Sequence, residues 1–400
     1  MSSRAKFSVL MASSLIVVYS VVGGVMGRVS AQDSAYPQLT IFTEVIQRIR
    51  NDYVDEPDLV RAMEGAIRGM VESVDPNGGF LSPESVDFYE DYNPLEMASI
   101  GVILVRKFDY PVIVTAIPGG PADEQGLGTG DTIEGIGGES LREHNLIEVQ
   151  QLLSGNPGTT VELNVIRRSA AGVETVTVTR AVPVIPPVEG RLLEQDGQDI
   201  GYVKVPIVGS DVVDQVRAEV IRLTREGASA LVLDLRNSAG GSEAEAFGLA
   251  NLFVNTGTLG YLEGQTVERQ VFSAMPGAAV SELPLAVLIN EGTADAAEMA
   301  AGAIRDNDRG PVVGLRTFGS AAYRRLLPLD DGWALLLAVG NYYTPSGDEI
   351  LTEGVEPTEE IGPTAVALDP LATLEPEDET TDRQLNRALE LLIDAAAAAA

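Results

Sequence analysis

The sequence contains no cysteine, a single histidine and only three lysines among its 400 residues. The absence of cysteine excludes disulfide bonds, a thiol nucleophile and a thiolate metal site. The one histidine, His144, leaves few ways to build a zinc site and one chance at a histidine general base. We therefore expect neither a metal ion nor another cofactor.

Positive charge is also scarce, because 27 lysines and arginines face 59 acidic residues, which gives a formal net charge of −32. Nucleic acids and anionic membranes require a basic patch, so neither is an expected partner. Apolar residues make up 45% of the chain and charged residues 22%. This composition is typical of a globular protein, and the length allows two or three domains.

A long hydrophobic run occurs once, from about residue 7 to residue 26, after Arg4 and Lys6. Val29 and Ala31 then occupy the −3 and −1 positions of a possible cleavage site. Residues 1–31 therefore resemble a cleaved export signal, and the alternative is a retained membrane anchor. Either interpretation predicts an exported protein, in the periplasm or another extracytoplasmic compartment.

The periodicity of apolar residues changes along the chain and predicts four regions after the export segment. Helical spacing predicts an N-terminal helical domain over 36–96, and short alternating strands predict a small barrel-like domain over 97–184. Strands that alternate with helices over 185–362 predict an α/β core with a mostly parallel sheet and flanking helices. Residues 363–400 form an acidic stretch and a final helix. The segments expected to complete the sheet of the core are 310–317, 324–332 and 333–347.

Two loops follow buried strands of the α/β region, where ligands bind in such folds. The first is "RNSAGG" (236–241), and the second is "EGTADAAE" (291–298). Paired glycines and a helix N-terminus can present backbone N–H groups to a ligand, as in an oxyanion hole. The alternative is that Gly240 and Gly241 form only a tight turn and that Asp295 only caps a helix.

Several longer motifs make the chain similar to the carboxyl-terminal processing peptidases, or tail-specific serine proteases. "GPADEQGLGTGDTIEGIGG" resembles a PDZ domain, and "LVLDLRNSAGG" resembles a motif of the protease core. The resemblance covers roughly residues 40–360 in the order typical of the family. Further matching segments are "YVDEPDLVRAMEGAIRGMVESVDPNGGFLSPE", "GTADAAEMAAGAIRDNDRGPVVGLRTFGSA" and "YYTPSGDEILTEGVEP".

The resemblance implies a peptidase that binds a substrate tail in its PDZ domain and cleaves it with a serine nucleophile and a lysine base. The family's G-[ST]-A-S-A-S-E loop places the nucleophile at Asp295 of this chain. Its T-F-G-K-G-x-x-Q motif places the base at Ser320 and the helper glutamine at Arg324. All three catalytic positions are therefore substituted, and we hypothesise that Asp295 pairs with Arg324. The remnant of the oxyanion hole would consist of Gly240, Gly241 and Ala296.

Other residues offer no evident replacement for the lost pair. We expect Lys204 to be a solvated strand residue, and His144 to be a solvated helix-start residue or a contact to a bound peptide. Ser238 and Ser242 flank the paired glycines but have no evident base. Glu298 lies one turn beyond Asp295, at a position that is structural in the family motif.

The PDZ resemblance assigns peptide binding to the segment "SIGV". The backbone N–H groups of Ser99, Ile100, Gly101 and Val102 would receive a terminal carboxylate while the tail adds as a strand. Ile100 and Val102 would line the pocket for the last side chain, and the alternative is that both are ordinary core residues.

The sequence thus predicts an exported, PDZ-containing homologue of the processing peptidases that has lost proteolysis and binds peptide C-termini or partner proteins. An active peptidase relative is one candidate partner, and the terminal helices could mediate a homodimer. One alternative is a working serine-type endopeptidase with a non-standard catalytic arrangement. The other is a structural scaffold that binds no peptide.

Overall fold

The computed structural model of the protein describes residues 35–362, apart from residues 169 and 171, and residues 382–399. The export segment predicted for residues 1–31 and most of the acidic stretch after residue 362 lie outside this range. Within the described ranges, none of the helices combines the length and the apolar character needed to span a bilayer.

The structure contains the main helices and strands that the periodicity predicts, together with strands at 79–81, 189–195, 258–263 and 270–273 and a helix at 83–91 that it does not predict. The helices are α1 (Ala35–Asp52), α2 (Leu59–Val74), α3 (Pro83–Asp91), α4 (Leu146–Leu153), α5 (Val212–Glu226), α6 (Glu243–Asn251), α7 (Ala296–Asp306) and α8 (Arg383–Ala399). The strands are β1 (Gly79–Leu81), β2 (Val102–Lys107), β3 (Tyr110–Ala116), β4 (Thr132–Ile136), β5 (Glu139–Ser140), β6 (Thr160–Ile166), β7 (Val173–Thr179), β8 (Glu189–Gln195), β9 (Gln198–Lys204), β10 (Ala230–Asp234), β11 (Thr258–Glu263), β12 (Gln270–Ser273), β13 (Leu285–Ile289), β14 (Val312–Gly314), β15 (Ala322–Pro328), β16 (Ala334–Tyr343) and β17 (Glu359–Glu360).

The chain divides into two compact units, with the boundary between Gly69 and Met70. The described part of the first unit consists of α1 and the first two thirds of α2. Apolar side chains on these helices are exposed, among them Leu39, Ile41 and Val60. The second unit contains all the strands, and it is the unit that carries the candidate site.

Strands β2 to β7 form the small barrel-like sheet, in the order β2-β3-β4-β6-β7 with β5 beside β4. All the pairings in this sheet are antiparallel. Strand β2 lies at one edge of the sheet, and α4 packs beside it. The core of this sheet combines alternate apolar residues of the strands with α4: Ile100, Val102, Leu104, Ile113, Ile133, Val149, Leu153, Leu163, Val165 and Val178.

The α/β core contains a six-stranded sheet in the order β17-β14-β13-β10-β9-β8. Every neighbouring pair is parallel except β8 with β9. One face of the sheet packs against α5, α6 and α7, and the opposite face packs against α8. The central strands β10 and β13 are buried along their whole length, because helices cover both faces.

The segments over 324–332 and 333–347 do not complete this sheet, so that part of the prediction is wrong. They form β15 and β16, which join β1, β11 and β12 in a separate antiparallel sheet. Strand β1, far earlier in the chain, pairs with β16. Periodicity identifies a strand but does not reveal its distant partner, which explains the error.

Candidate active site

The loop 236–241 follows β10, and the loop 291–298 follows β13. The two loops meet because these strands are parallel neighbours. The Thr293 hydroxyl donates to the Leu235 carbonyl at 2.8 Å, and the Ala294 N–H donates to the Ser238 carbonyl at 3.0 Å. These bonds hold the second loop directly against the first, as expected for loops that follow adjacent strands of a parallel sheet.

Asp295 is the N-cap residue of α7 and has a backbone conformation that is rare for a residue with a side chain. Its φ is 51° and its ψ is −121°. Such a conformation costs roughly 1–3 kcal/mol and persists only where the surroundings enforce it. The enforcing contacts include the Asp295 N–H, which donates to Glu298 Oε1 at 3.0 Å.

The carboxylate of Asp295 has a donor at each oxygen. Oδ1 accepts the Ser320 hydroxyl at 2.7 Å, and Oδ2 accepts the Gly240 N–H at 3.2 Å. The structure therefore brings together the predicted nucleophile position, the predicted base position and one residue of the predicted oxyanion hole. Among the described residues, the Asp295 carboxylate contacts neither a base nor a cation.

We call the group formed by Asp295, Ser320 and Glu298 the acidic cluster. Arg324 does not take part in it, so the hypothesis that Arg324 pairs with Asp295 is wrong. Arg324 lies on β15, and its Nε is 3.8 Å from Asp75 Oδ2. The same Nε is buried and has no hydrogen-bond partner in the described part of the chain. The Arg324 side chain therefore lies beside the turn that precedes β1, which contains Asp75.

Glu298 is the buried support of the cluster. It is fully buried, and its two oxygens accept backbone N–H groups or hydroxyls from both sides of residue 320, including the Ser320 N–H at 2.9 Å. Burial raises the pKa of Glu298 to about 7, and the negative charge of Asp295 adds to that rise, while the hydrogen bond from Thr317 opposes it. Glu298 also receives the N–H groups of Gly319 and Ala321. It therefore fixes the segment that carries Ser320, in agreement with a structural role.

The predicted remnant of the oxyanion hole is occupied by the protein's own groups. The Gly240 N–H donates to Asp295, and the Ala296 N–H donates to the Gly240 carbonyl at 3.2 Å. Gly241 has a φ of 76°, and a Cβ at this position would lie 2.4 Å from Cγ1 of Val208. The paired glycines thus allow a close approach of the two loops.

The other candidates for acid–base chemistry lie elsewhere or are engaged. Lys204 is not a solvated strand residue, because its Nζ lies 3.3 Å from Asp234 Oδ1 and donates to the Arg236 carbonyl. Burial lowers the pKa of Lys204, although the negative charge of Asp234 opposes this effect. Ser242 caps α6 with its hydroxyl. The Ser238 hydroxyl is buried and has no hydrogen-bond partner among the described residues.

His144 lies in the loop before α4, far along the chain from the acidic cluster. It is half-buried, and its Nδ1 has no hydrogen-bond partner in the described part of the protein. Its carbonyl accepts the Arg106 guanidinium at 2.6 Å. The carbonyl contact gives His144 a structural link to β2, whereas its expected contact with a peptide stays a prediction.

The segment predicted to receive a peptide carboxylate is held from its inner side. The Ile100 and Gly101 carbonyls accept the N–H groups of Ala122 and Ile117, at 2.8 and 2.9 Å. Gly101 has a φ of 74°, and its N–H donates to the Ser99 hydroxyl at 3.1 Å. The Ile100 N–H has no hydrogen-bond partner among the described residues, although Ile100 is fully buried.

The side chains of this segment belong to the core. Ile100 is fully buried and Val102 is 6% exposed. Ser99 pairs with Ala181 through two backbone hydrogen bonds. The structure thus places Ile100 and Val102 against the apolar cluster of the small sheet, and whether they also line a pocket for a ligand stays a prediction.

The small sheet packs directly on the loops of the acidic cluster, a contact that sequence periodicity does not reveal. Val105 and Val114 form a buried cluster with Ala239 and Ala294, the residue before Asp295. The Thr115 hydroxyl also donates to the Asn237 carbonyl at 2.9 Å. The two domains therefore meet at the site itself.

The fold, an antiparallel domain joined to an α/β core, agrees with a PDZ domain joined to a peptidase core, and two family matches define both. Residues 112–167 match the PDZ domain, and residues 199–361 match Peptidase family S41. The chain belongs to peptidase family S41, among the carboxyl-terminal processing proteases. The predicted family and fold class are confirmed.

Several relatives support this placement over most of the chain. A carboxyl-terminal-processing protease of Picosynechococcus sp. is 31% identical over 320 residues, which cover 80% of this chain and 76% of that protein. One from Synechocystis sp. is 30% identical over 351 residues and covers 86% and 80%. The solved structure of a photosystem II D1 C-terminal processing protease is 27% identical, with a TM-score of 0.69, and covers 82% of this chain and 94% of that one.

Proposed function

We propose that this protein is an exported member of family S41 that binds the C-terminal tails of peptides or proteins through its PDZ domain and does not cleave them. The observation that carries the proposal is the carboxylate of Asp295, which occupies the nucleophile position and accepts both the Gly240 N–H and the Ser320 hydroxyl.

This arrangement opposes each requirement of serine peptidase chemistry. The family's mechanism needs a hydroxyl that a neighbouring base deprotonates. The Asp295 carboxylate attacks a peptide carbonyl poorly, and Ser320 is no base at neutral pH. A tetrahedral intermediate also needs donors for its oxyanion, and the negative charge of Asp295 would repel that oxyanion while it occupies the Gly240 N–H.

Tail binding draws its support from the PDZ domain. Strand β2 is an edge strand, so its outer side can pair with an added strand. The loop before it keeps the Ile100 N–H without a partner among the described residues. The relatives are named processing proteases, and a protein that retains their PDZ domain can recognise the same class of ligand, a free C-terminus.

The position outside the cytoplasm rests on the pattern of residues 1–31, with its basic start, apolar run and small residues at 29 and 31. An active relative of the same family is a candidate partner. Both proteins would recognise the same tails, so this protein could regulate that relative. A homodimer through the terminal helices is compatible with the exposed apolar residues of α1.

A paired cleavage and binding experiment tests the proposal. The full chain and the double variant Asp295→Ser with Ser320→Lys are incubated with an unfolded protein and with a peptide that has an apolar C-terminus, and products are read by mass spectrometry. We expect no product from the natural chain. The single variant Ser320→Lys is the matched control, because a lysine beside Asp295 would form an ion pair without supplying a nucleophile.

Calorimetry on the natural chain gives the binding arm. We expect the peptide with a free carboxylate to bind and its amidated form to bind at least about tenfold more weakly, since a charged hydrogen-bonded group is lost. Cleavage by the natural chain that Ser320→Ala or Lys204→Ala abolishes would instead establish an active peptidase. The absence of binding by every peptide would favour the structural scaffold.

A further inference from the structure

The outer edge of the PDZ sheet is blocked at one position by a residue that does not belong to the sheet. The backbone N–H of Arg106, on the edge strand β2, donates to the Asn77 side-chain oxygen Oδ1 at 2.6 Å. Asn77 lies in the turn between α2 and β1, 29 residues earlier in the chain. The side chain thus satisfies a donor that an added strand would otherwise use.

The position of this bond along β2 determines what remains free. In an antiparallel sheet, the N–H groups of alternate residues on an edge strand point outward. The register with β3 shifts between Ile103 and Leu104, but the extra residue of this bulge lies on β3. Since the Arg106 N–H points outward, the groups of Leu104 and Val102 therefore share its direction. A tail whose carboxylate lies at Ile100 would run antiparallel to β2, with its last residue near Val102 and its third-last near Leu104. Its fifth-last residue would meet Arg106.

The side chain of Arg106 lies at the same end of the groove between β2 and α4, under the backbone N–H that Asn77 caps. Only 5% of this side chain is exposed. Its guanidinium donates to the carbonyls of Arg142 and His144, which precede α4, and to Glu72 Oε1 at 2.8 Å. Arg106 therefore links the strand to the loop before α4.

The turn that carries Asn77 is firmly attached to the antiparallel sheet of the core. Asp75 Oδ1 accepts the Asn77 N–H at 3.0 Å, and Asp75 Oδ2 accepts the Ala338 N–H of β16 at 2.8 Å. A Cβ on Gly78 would lie 2.7 Å from the Leu336 carbonyl oxygen, so the turn packs closely on β16. These contacts fix the backbone of the turn and keep the Asn77 side chain within reach of Arg106.

We infer that the Asn77 cap on Arg106 sets the length of tail that the PDZ domain reads, at about three or four C-terminal residues. The inference rests on the proposed function, and it specifies the ligand as a short, free C-terminus. Residues farther from the tail's end leave the sheet at Leu104 and add no strand pairing. The protein would therefore bind tails of many different proteins that share only their last few residues.

The test compares two acetylated peptides that end in the same three apolar residues, a tripeptide and a heptapeptide, each with a free carboxylate. Calorimetry on the full natural chain gives both affinities, and we expect them to agree within about twofold. In Asn77→Ala, the Arg106 N–H becomes available, and we expect the heptapeptide to bind about three- to tenfold more tightly while the tripeptide is unchanged.

The matched control is Asn77→Asp, which keeps an acceptor at the same place and should behave as the natural chain does. A heptapeptide that binds the natural chain more than about threefold more tightly than the tripeptide overturns the inference and leaves the proposed function standing. Equal affinities in Asn77→Ala overturn it as well. If no peptide binds either protein, the proposed function fails and the inference fails with it. The comparison on the natural chain needs no variant, so a misfolded variant cannot obscure the result.

Discussion

The hydroxyl of Ser320 donates to the carboxylate of Asp295 at 2.7 Å, although the two residues are 25 positions apart in the chain. The contact joins the predicted base position to the predicted nucleophile position, so the spacing of the family's dyad is retained with different chemistry. Glu298, beneath both residues, accepts backbone N–H groups from each side.

The stability of the protein should contain a pH-dependent contribution from Glu298. Its pKa is raised from an ordinary value of 4.5 to about 7, so the folded state binds a proton that the unfolded state has released between these values. The free energy of unfolding should therefore fall as the pH rises through this window, by about 3 kcal/mol. Urea unfolding at intervals between pH 5 and 7 measures the slope.

Asp295→Asn tests the contribution of the Asp295 charge to this slope, whose larger cause is the burial of Glu298. The amide keeps the shape of the side chain and removes its charge, so the pKa of Glu298 should fall and the slope should flatten. A slope unchanged by the substitution would show that the Asp295 charge does not contribute to the raised pKa of Glu298. Asp234 is not expected to interfere: although burial disfavours its charged form, Lys204 and Arg236 hold its pKa well below the usual range, so it stays ionised throughout the window.

Gly241→Ala should destabilise the protein by more than the backbone strain alone. The added Cβ would meet Cγ1 of Val208 at 2.4 Å, at a residue whose φ is 76°. We expect a loss of roughly 2–4 kcal/mol, from a left-handed conformation of about 1–2 kcal/mol together with overpacking. Gly277→Ala is the control, because its φ is 85° and nothing lies within 4 Å of the added atom. Thermal unfolding measures the loss of stability in both variants. Equal losses would show that the added Cβ at Gly241 is accommodated without overpacking.

The docking of α8 should depend on one buried ion pair. Asp382 Oδ2 lies 2.8 Å from the Arg236 guanidinium, with 9% and 14% of the two side chains exposed. Asp382→Ala leaves Arg236 short of a buried partner and also removes the oxygen that accepts the N–H groups of Gln384 and Leu385. Arg236 keeps its pair with Asp234, so we expect a loss of about 2–4 kcal/mol from one charged hydrogen bond and the helix cap. In Asp382→Ala, the amide hydrogen-exchange rates of α8 should rise as the free energy of unfolding falls.

Two further substitutions separate the causes of that loss. Asp382→Asn keeps an acceptor for the helix start and removes only the charge. Glu359→Gln breaks the exposed pair between Glu359 and Arg387 of the same helix and should cost less than about 1 kcal/mol. If Glu359→Gln were as damaging as Asp382→Ala, the buried pair would have no special role.

Local sequence patterns predict much of this structure because they record which face of each element is buried. The buried strands at 285–289 and 230–234 and the amphipathic helix at 212–226 follow directly from apolar spacing. The contact between the loops at Gly240 and Asp295 follows from the parallel order of their strands. The closeness of Asp295 and Ser320, in contrast, was predicted only from the family resemblance.

Distant pairings leave no such local record. The strand at 79–81 pairs with 334–336, and nothing in either segment names the other. The location of Arg324 beside Asp75 depends on that same antiparallel sheet, so the predicted pair with Asp295 was wrong. The link from Asn77 to Arg106 likewise joins a turn to a strand of another domain. The prediction that Lys204 is solvated was wrong because its acidic partner Asp234 lies on a neighbouring strand.

The carboxylate of Asp295 at the Gly240 N–H has a consequence for the life of a bound complex. After hydrolysis, a peptidase holds a newly formed carboxylate near its oxyanion donors, and that product must diffuse away before the next turnover. Here a carboxylate stands at the donor as part of the chain, so on the proposed function the core resembles an enzyme whose product never leaves. A tail held by the PDZ domain would then have one exit, dissociation, and its residence time would depend on the PDZ domain alone.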